Sequence, residues 1–229
     1  MKSVGLREVF VGIESGCKKQ LGKRYKKGTT KENNIAAIKT LRNLGLEVDL
    51  GFIFFDEDSD IPEARKNLNF IYEAEIFNHD SQLIKRVRIE PRTPLGFKYA
   101  KQHPSATVDL NLVEIPYKFK HIEIETIFYT FSDWQKKDLD VIYNLQSFCR
   151  GEIPSGYTRA EIKKIIGKYR QLDIAYLDEL VKVFENGQPY KDQQIKKVTV
   201  DFENKRNELD ASLIERIKWL NSNFRRFEI

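Results

Sequence analysis

Hydrophobic and polar positions follow two alternating spacings along the first ninety residues. Short runs rich in β-branched and aromatic residues, typical of buried strands, alternate with segments whose apolar residues recur every three or four positions, typical of amphipathic helices. The predicted strands cover residues 8–13, 46–55 and 83–89, and the predicted helices cover residues 18–27, 29–44 and 60–71. This alternation predicts repeated βαβ units with a parallel sheet.

The ends of two predicted helices carry local signals. Thr29 with Glu32, and Asp60 with Glu63, have the spacing of a capping box, in which a side-chain oxygen at the helix start accepts a backbone N–H three residues on. Gly45 stands where a helix C-terminus belongs. These signals predict helices that begin at Thr29 and Asp60.

A polar loop follows each predicted strand. These loops are residues 14–16, 56–60 and 91–96. Parallel strands bring their C-terminal ends to one face, and βα folds bind ligands at that face. The loops therefore predict a shared ligand-binding face.

The pattern changes after residue 101. Residues 121–131, HIEIETIFYTF, are rich in β-branched and aromatic residues, which favours a strand. Helical spacing dominates residues 133–149, 158–169, 176–184 and 202–224. We therefore expect an α/β part over residues 1–130 and a mostly helical extension over residues 131–229.

Composition narrows the function classes. The 229 residues carry 39 Lys+Arg and 34 Asp+Glu, so the net charge is only +5, with acids interspersed among the bases. A nucleic-acid partner is compatible with this charge but not required by it. No apolar run approaches the roughly 18 residues of a membrane span. The two cysteines, Cys17 and Cys149, are typical of reduced cytosolic thiols, so we expect a cytoplasmic protein.

Three segments in order resemble the radical S-adenosylmethionine (SAM) superfamily, of the type associated with a cobalamin-binding domain. Residues 9–16 read VFVGIESG, residues 27–55 read KGTTKENNIAAIKTLRNLGLEVDLGFIFF, and residues 89–99 read IEPRTPLGFKY. The family has a GIES-like strand end, a helix opened by Gly-Thr-Thr, and a strand similar to residues 49–58. The resemblance covers roughly residues 5–100.

The resemblance implies a fold, cofactors and an important departure. The implied fold is the C-terminal portion of a partial (β/α) TIM-type barrel, and the implied cofactors are SAM, a 4Fe-4S cluster and cobalamin. Family enzymes hold the cluster with three cysteines in a C-x-x-x-C-x-x-C loop, which this sequence does not contain. We therefore expect a chain that cannot ligate the cluster alone: a separate gene product, a truncated reading frame or an excised domain.

The resemblance also implies site residues. Together with residue chemistry, in which Gly12 allows close approach of a ligand and Arg92 could bind a carboxylate or phosphate, it points to six cofactor-binding candidates: Gly12, Glu14, Ser15, Gly51, Asp56 and Arg92. Glu14 and Ser15 stand where the family binds the ribose and amino groups of SAM. A carboxylate suits this role, because it accepts hydrogen bonds from ribose hydroxyls or pairs with the ammonium group. Each candidate has a simpler alternative. Glu14 could cap a helix, the glycines could serve packing, Asp56 could favour a helix N-terminus, and Arg92 could lie on a solvated rim. We expect no metal-ligand set.

Three functions remain open from the sequence. The first is the C-terminal part of a radical SAM protein that contributes SAM- and substrate-side residues. The second is a non-catalytic α/β remnant or interaction scaffold, and an open sheet edge would invite a partner chain or self-association. The third is a basic nucleic-acid-binding module, which the evenly spread charge disfavours.

Overall fold

A computed structural model describes residues 5–77, 85–111, 113–150, 156–186 and 191–224. It contains two strands, β1 (Glu8–Glu14) and β2 (Glu47–Phe52), and a π-helical turn at Gln20–Arg24. The helices are α1 (Lys31–Asn43), α2 (Ile61–Glu73), α3 (Pro94–Gln102), α4 (Ile122–Lys136), α5 (Leu139–Arg150), α6 (Gly156–Glu185) and α7 (Lys191–Phe224). The fold is a mostly helical α/β structure with a small parallel sheet.

The first two predicted strands form a parallel pair. Gly12 aligns with Gly51, and the register shifts between Gly12 and Glu14. Side chains alternate across a strand, so Ile13 and Leu50 lie on the face that is buried beneath the helices. The opposite face carries Gly12, Gly51 and the exposed ring of Phe10.

The third predicted strand, residues 83–89, lies partly outside the described residues. In its described part, Arg86 forms an isolated parallel bridge with Phe55. Val87 N donates to Phe55 O at 2.8 Å, and Phe54 N donates to Lys85 O at 3.0 Å. This segment therefore runs beside the end of β2, although it does not form a regular strand there.

The predicted helix starts are right for α2 and wrong by one residue for α1. Asp60 accepts a hydrogen bond from Glu63 N at 2.8 Å, as its capping-box spacing predicts. At α1 the N-cap is Thr30, which accepts from Asn33 N at 3.2 Å, and not Thr29. Two adjacent threonines offer the same capping chemistry, so spacing alone chose the wrong one.

The predicted strand over residues 121–131 is wrong, because this segment is helix α4. Its apolar residues Ile124, Ile127 and Phe131 are buried at helical spacing. Acids in its first turn, Glu123 and Glu125, favour the positive end of a helix. The β-branched content suggested a strand, but burial along one helical face decides the structure.

The helical part is more continuous than the sequence pattern predicts. The predicted helices over residues 158–169 and 176–184 are one helix, α6, whereas residues 133–149 divide between α4 and α5. Arg65 of α2 joins the two parts by pairing with Asp178 and Glu185 of α6, at 2.5 and 2.7 Å. One large core includes residues from Ile13 to Phe202, and a second core lies between α5, α6 and α7.

Two sequence expectations meet the structure at this level. The division into residues 1–130 and 131–229 stays a prediction. Helix α4 spans residue 130, where the two predicted domains divide. None of the described helices combines the length and the apolar character that a membrane span requires.

Candidate functional site

A cavity of about 740 Å³ lies where the ends of β1, β2 and the 85–89 segment meet. All three predicted loops contribute to its walls, through Glu14, Asp56 and Thr93. Its other lining residues are Lys23, Arg24, Tyr25, Lys26, Lys27, Ile53, Glu57, Asp58, Val87, Ile89, Pro94, Leu95, Lys98, Tyr99, Gln102 and Lys120. The cavity thus combines an apolar wall with a rim of both charges, and its size suits a small molecule.

Glu14 lies at the end of β1 in a left-handed backbone conformation, with φ of 63°. A non-glycine residue pays a conformational cost there, and such residues cluster at functional sites. The register shift before Glu14 coincides with this conformation. The Glu14 carboxylate pairs with Lys27, with Nζ and Oε1 2.9 Å apart.

Gly12 and Gly51, the two glycine candidates, lie side by side in the sheet and form a glycine patch. A Cβ on Gly12 would lie 2.9 Å from Glu14 Oε1, and a Cβ on Gly51 would lie 2.9 Å from Phe10 Cζ. Real Cβ atoms essentially never approach so closely. Glycine at position 12 therefore lets the Glu14 carboxylate fold back over the strand.

Asp56 is buried in a hydrogen-bonded clamp on the cavity floor. Arg24 Nη1 donates to both Asp56 oxygens at 2.8 Å, and the Tyr25 hydroxyl donates to Oδ2 at 3.0 Å. Arg24 also donates to both oxygens of Glu63 and to the Asp58 carbonyl. The acidic turn after β2 is therefore fixed by one arginine.

The charges in this clamp reinforce each other. Burial disfavours the charge on Arg24, but hydrogen bonds and negative charge from Glu63 and Asp56 outweigh it and raise the pKa of Arg24. Burial, followed by the negative charge of Asp56, raises the pKa of Tyr25. Arg24 stays a cation and Tyr25 a neutral hydrogen-bond donor at physiological pH.

Ser15 lies in a buried polar network and does not line the cavity. Its hydroxyl is 2.5 Å from Gln20 Oε1 and 2.8 Å from Asn67 Oδ1, and it accepts from Cys17 N. Asn67 also accepts from Gly16 N. The network fixes the turn after β1 to α2.

Arg92 is exposed and also lies outside the cavity lining. Its φ is 66°, so the loop after the third segment turns sharply there. Thr93, the next residue, is the N-cap of α3 and accepts from Gly96 N at 3.0 Å. Of the six candidates, Glu14 and Asp56 line the cavity, and Gly12 and Gly51 lie in the strands behind Glu14.

Tyr99 and Lys120 also line the cavity, and the sequence patterns did not indicate them. Lys120 pairs with Asp58. Burial alone would raise the pKa of Asp58, but the hydrogen bond and positive charge of Lys120 outweigh it and lower that pKa. The Tyr99 ring stacks on the His103 ring, and His103 Nε2 lies 3.6 Å from Glu57 Oε1. Tyr99 comes from α3 and Lys120 from the segment before α4, so only the tertiary fold brings them to the strand ends.

The two cysteines lie apart from this site chemistry. Cys17 is buried after β1, and Cys149 is buried in the second core. Among the described residues, no group of three His, Cys, Asp or Glu side chains is placed to hold a metal ion. The cavity can bind a small molecule with an apolar ring and polar ends, but the cysteines do not fit a cluster site.

Comparisons of sequence and of fold find proteins that the chain resembles. No family model matches the chain. It is 43% identical over 68 residues to 4′-phospho-dehydrooxetanocin synthase of Priestia megaterium, and this match covers 29% of the chain and 9% of the synthase. A solved structure of OxsB, a cobalamin-dependent S-adenosylmethionine radical enzyme with aqua-cobalamin and S-adenosylmethionine bound, matches 95% of the chain with a TM-score of 0.73 and 16% identity. The resemblance to cobalamin-associated radical SAM proteins is confirmed.

A second OxsB structure, with aqua-cobalamin bound, agrees with this result. It matches 91% of the chain with a TM-score of 0.70 and 17% identity. At these identities the structural match shows a shared fold. The chain spans 39% and 38% of the lengths of the two OxsB chains.

Proposed function

We propose that this chain forms the C-terminal part of the barrel of a cobalamin-associated radical SAM protein and contributes SAM- and substrate-side residues. The observation that supports this most directly is the cavity of about 740 Å³ at the strand ends. Ligands bind at that end of parallel strands in βα barrels. In this proposal β1, β2 and the 85–89 segment are strands of a partial barrel, and residues 131–229 are its helical extension.

The cavity residues fit SAM. Glu14 offers carboxylate oxygens to ribose hydroxyls, and its carboxylate is partly exposed to the cavity. Ile53, Val87 and Ile89 offer an apolar wall to the adenine. The role of Asp56 is then to hold the cavity floor, because its oxygens are already occupied by Arg24 and Tyr25.

The residues present do not fit the 4Fe-4S cluster. A 4Fe-4S cluster needs cysteine thiolates, whereas Cys17 and Cys149 are buried in different parts of the structure. We therefore propose that any cluster used with this chain is ligated by other residues, and we assign none of this chain's residues to cobalamin. The unknown small-molecule substrate would occupy the rest of the cavity.

The free edge of β1 supports a partner in this proposal. β1 pairs with β2 on one side, and none of the described segments pairs with its other side. An unpaired strand edge is a template for another strand. A strand from the rest of such a protein, or from a partner chain, would pair there.

Titration calorimetry of the purified chain with SAM tests the proposal. We expect SAM to bind, and Glu14→Gln to weaken binding by about tenfold, since hydrogen bonds to a charged group contribute about 1.5–3 kcal/mol. Glu57→Gln is the matched control, because it makes the same charge change at another position in the cavity lining. Absence of SAM binding, or equal losses in the two variants, would contradict the proposal.

A further inference from the structure

The ion pair between Glu14 and Lys27 occupies the part of the cavity above the glycine patch. Lys27 Nζ lies 2.9 Å from Glu14 Oε1. The Lys27 side chain is 41% exposed, and the Glu14 side chain is 21% exposed. Lys27 Nζ is also 3.5 Å from the position that a Cβ on Gly12 would take. The pair thus fills the space that a side chain at position 12 would otherwise occupy.

The structure distinguishes Lys27 from its neighbours. Lys23, Lys26 and Lys27 all line the cavity. Lys27 alone of these three forms an ion pair with a described residue, and that residue is Glu14. Lys26 has a left-handed backbone, with φ of 51°, which accompanies the turn that brings Lys27 back towards β1. Lys27 is therefore placed to neutralise one particular carboxylate.

We infer that Lys27 determines the ligand specificity of the Glu14 position, making it a site for neutral hydroxyl groups and disfavouring cationic ones. The inference rests on the proposed function and extends it to the choice of ligand group. A carboxylate has about four lone-pair positions, so Glu14 can accept from hydroxyls while Lys27 keeps one oxygen. A cationic group at the same place is repelled by the positive charge of the nearby Lys27 ammonium.

Removing the Lys27 charge makes Glu14 a bare carboxylate that attracts cations. SAM and S-adenosylhomocysteine are suitable probes, because they share the ribose and differ in a sulfonium and a neutral thioether. In Lys27→Met we expect the preference for SAM, measured as the ratio of the two Kd values, to rise by about threefold, in the range of one partly exposed ion pair.

Lys26→Met is the matched control, since it removes one positive charge from the same cavity wall and leaves the Glu14–Lys27 pair intact. We expect its Kd ratio to stay near that of the unmodified chain and Lys27→Arg to retain the original ratio. Thermal unfolding followed by circular dichroism verifies that each variant is folded. The measurement is titration calorimetry at one fixed ionic strength, because salt screens the effect.

The possible results separate the inference from the proposed function. If the unmodified chain binds neither SAM nor S-adenosylhomocysteine, the proposed function fails. If it binds both, but Lys27→Met and Lys26→Met change the Kd ratio equally, Lys27 has no specific role and only the inference is overturned. A rise confined to Lys27→Met supports it.

Discussion

Arg24 organises the site at the scale of single residues. It lies in a run of lysines, yet its side chain is only 14% exposed and contacts the nearly buried carboxylates of Asp56 and Glu63. The planar guanidinium donates to both at once, which a lysine ammonium does less well. One residue thereby joins the basic segment after β1 to the acidic turn after β2.

Arg24→Met should lower the free energy of unfolding by about 3 kcal/mol, because it leaves buried carboxylates without their main partner. Arg24→Lys should lose less, since it keeps the charge but not the paired geometry. Urea unfolding followed by circular dichroism measures both. Lys23→Met, at the exposed neighbouring position, is the control and should change stability by less than about 0.5 kcal/mol. Equal effects at positions 23 and 24 would show that the clamp does not stabilise the fold.

The sequence could indicate some site residues and not others for a physical reason. Glu14 and Asp56 follow directly after strands, and parallel strands bring such positions together. Arg24 and Lys120 carry no such local signal, because their roles depend on which carboxylates the tertiary fold places beside them. Ser15 was indicated by its position next to Glu14, but the turn directs its hydroxyl into the buried network with Gln20.

At the scale of elements, the packing of α4 against α6 decides a secondary structure that the sequence pattern alone does not determine. Residues 121–131 have strand-like composition, and a short segment of this kind is ambiguous by periodicity alone. Contact with α6 resolves the ambiguity, since Trp134 of α4 donates from Nε1 to Asp173 Oδ1 at 2.7 Å. Asp173 and its neighbour Arg170 are both buried, and their charged atoms lie 3.3 Å apart.

Asp173 should make the stability of this packing depend on pH. Burial raises the pKa of Asp173 above its ordinary 3.8, although the Arg170 charge and the Trp134 hydrogen bond oppose the shift. The folded chain therefore binds this proton more tightly than the unfolded chain. The contribution of Asp173 to stability is then greatest at acid pH and falls as the pH rises from about 4 through the raised pKa.

The measurement is the free energy of unfolding of the unmodified chain minus that of Asp173→Asn, over a series of pH values. We expect this difference to decrease with rising pH. The exposed Asp133, which pairs with nearby Lys136, provides the control for the substitution itself, and we expect the decrease for Asp173→Asn to exceed any change for Asp133→Asn. A difference for Asp173→Asn that grows with pH would contradict the assigned shift.

At the scale of the whole molecule, a small sheet is joined to a large helical part, and among the described segments only β2 pairs with β1. The alternating spacing of the first ninety residues predicted β1, β2 and their parallel pairing, because each strand is followed by a helix that covers it. The sequence pattern could not indicate what covers the other edge of β1, because none of the described segments pairs with it.

The positions of the two cysteines predict the behaviour of the isolated chain towards iron and sulfide. Anaerobic reconstitution of the purified chain should give no stoichiometric 4Fe-4S cluster, since it has only two cysteines, both buried and 132 positions apart in sequence, of which Cys149 alone belongs to the second core. The measurements are the visible absorbance and the iron content per monomer after gel filtration. A Cys17→Ser, Cys149→Ser double variant provides the background, and we expect the unmodified chain to match it. A full cluster per monomer that disappears in the double variant would mean that the thiols rearrange to bind iron, and that the chain does not depend on other residues for its cluster.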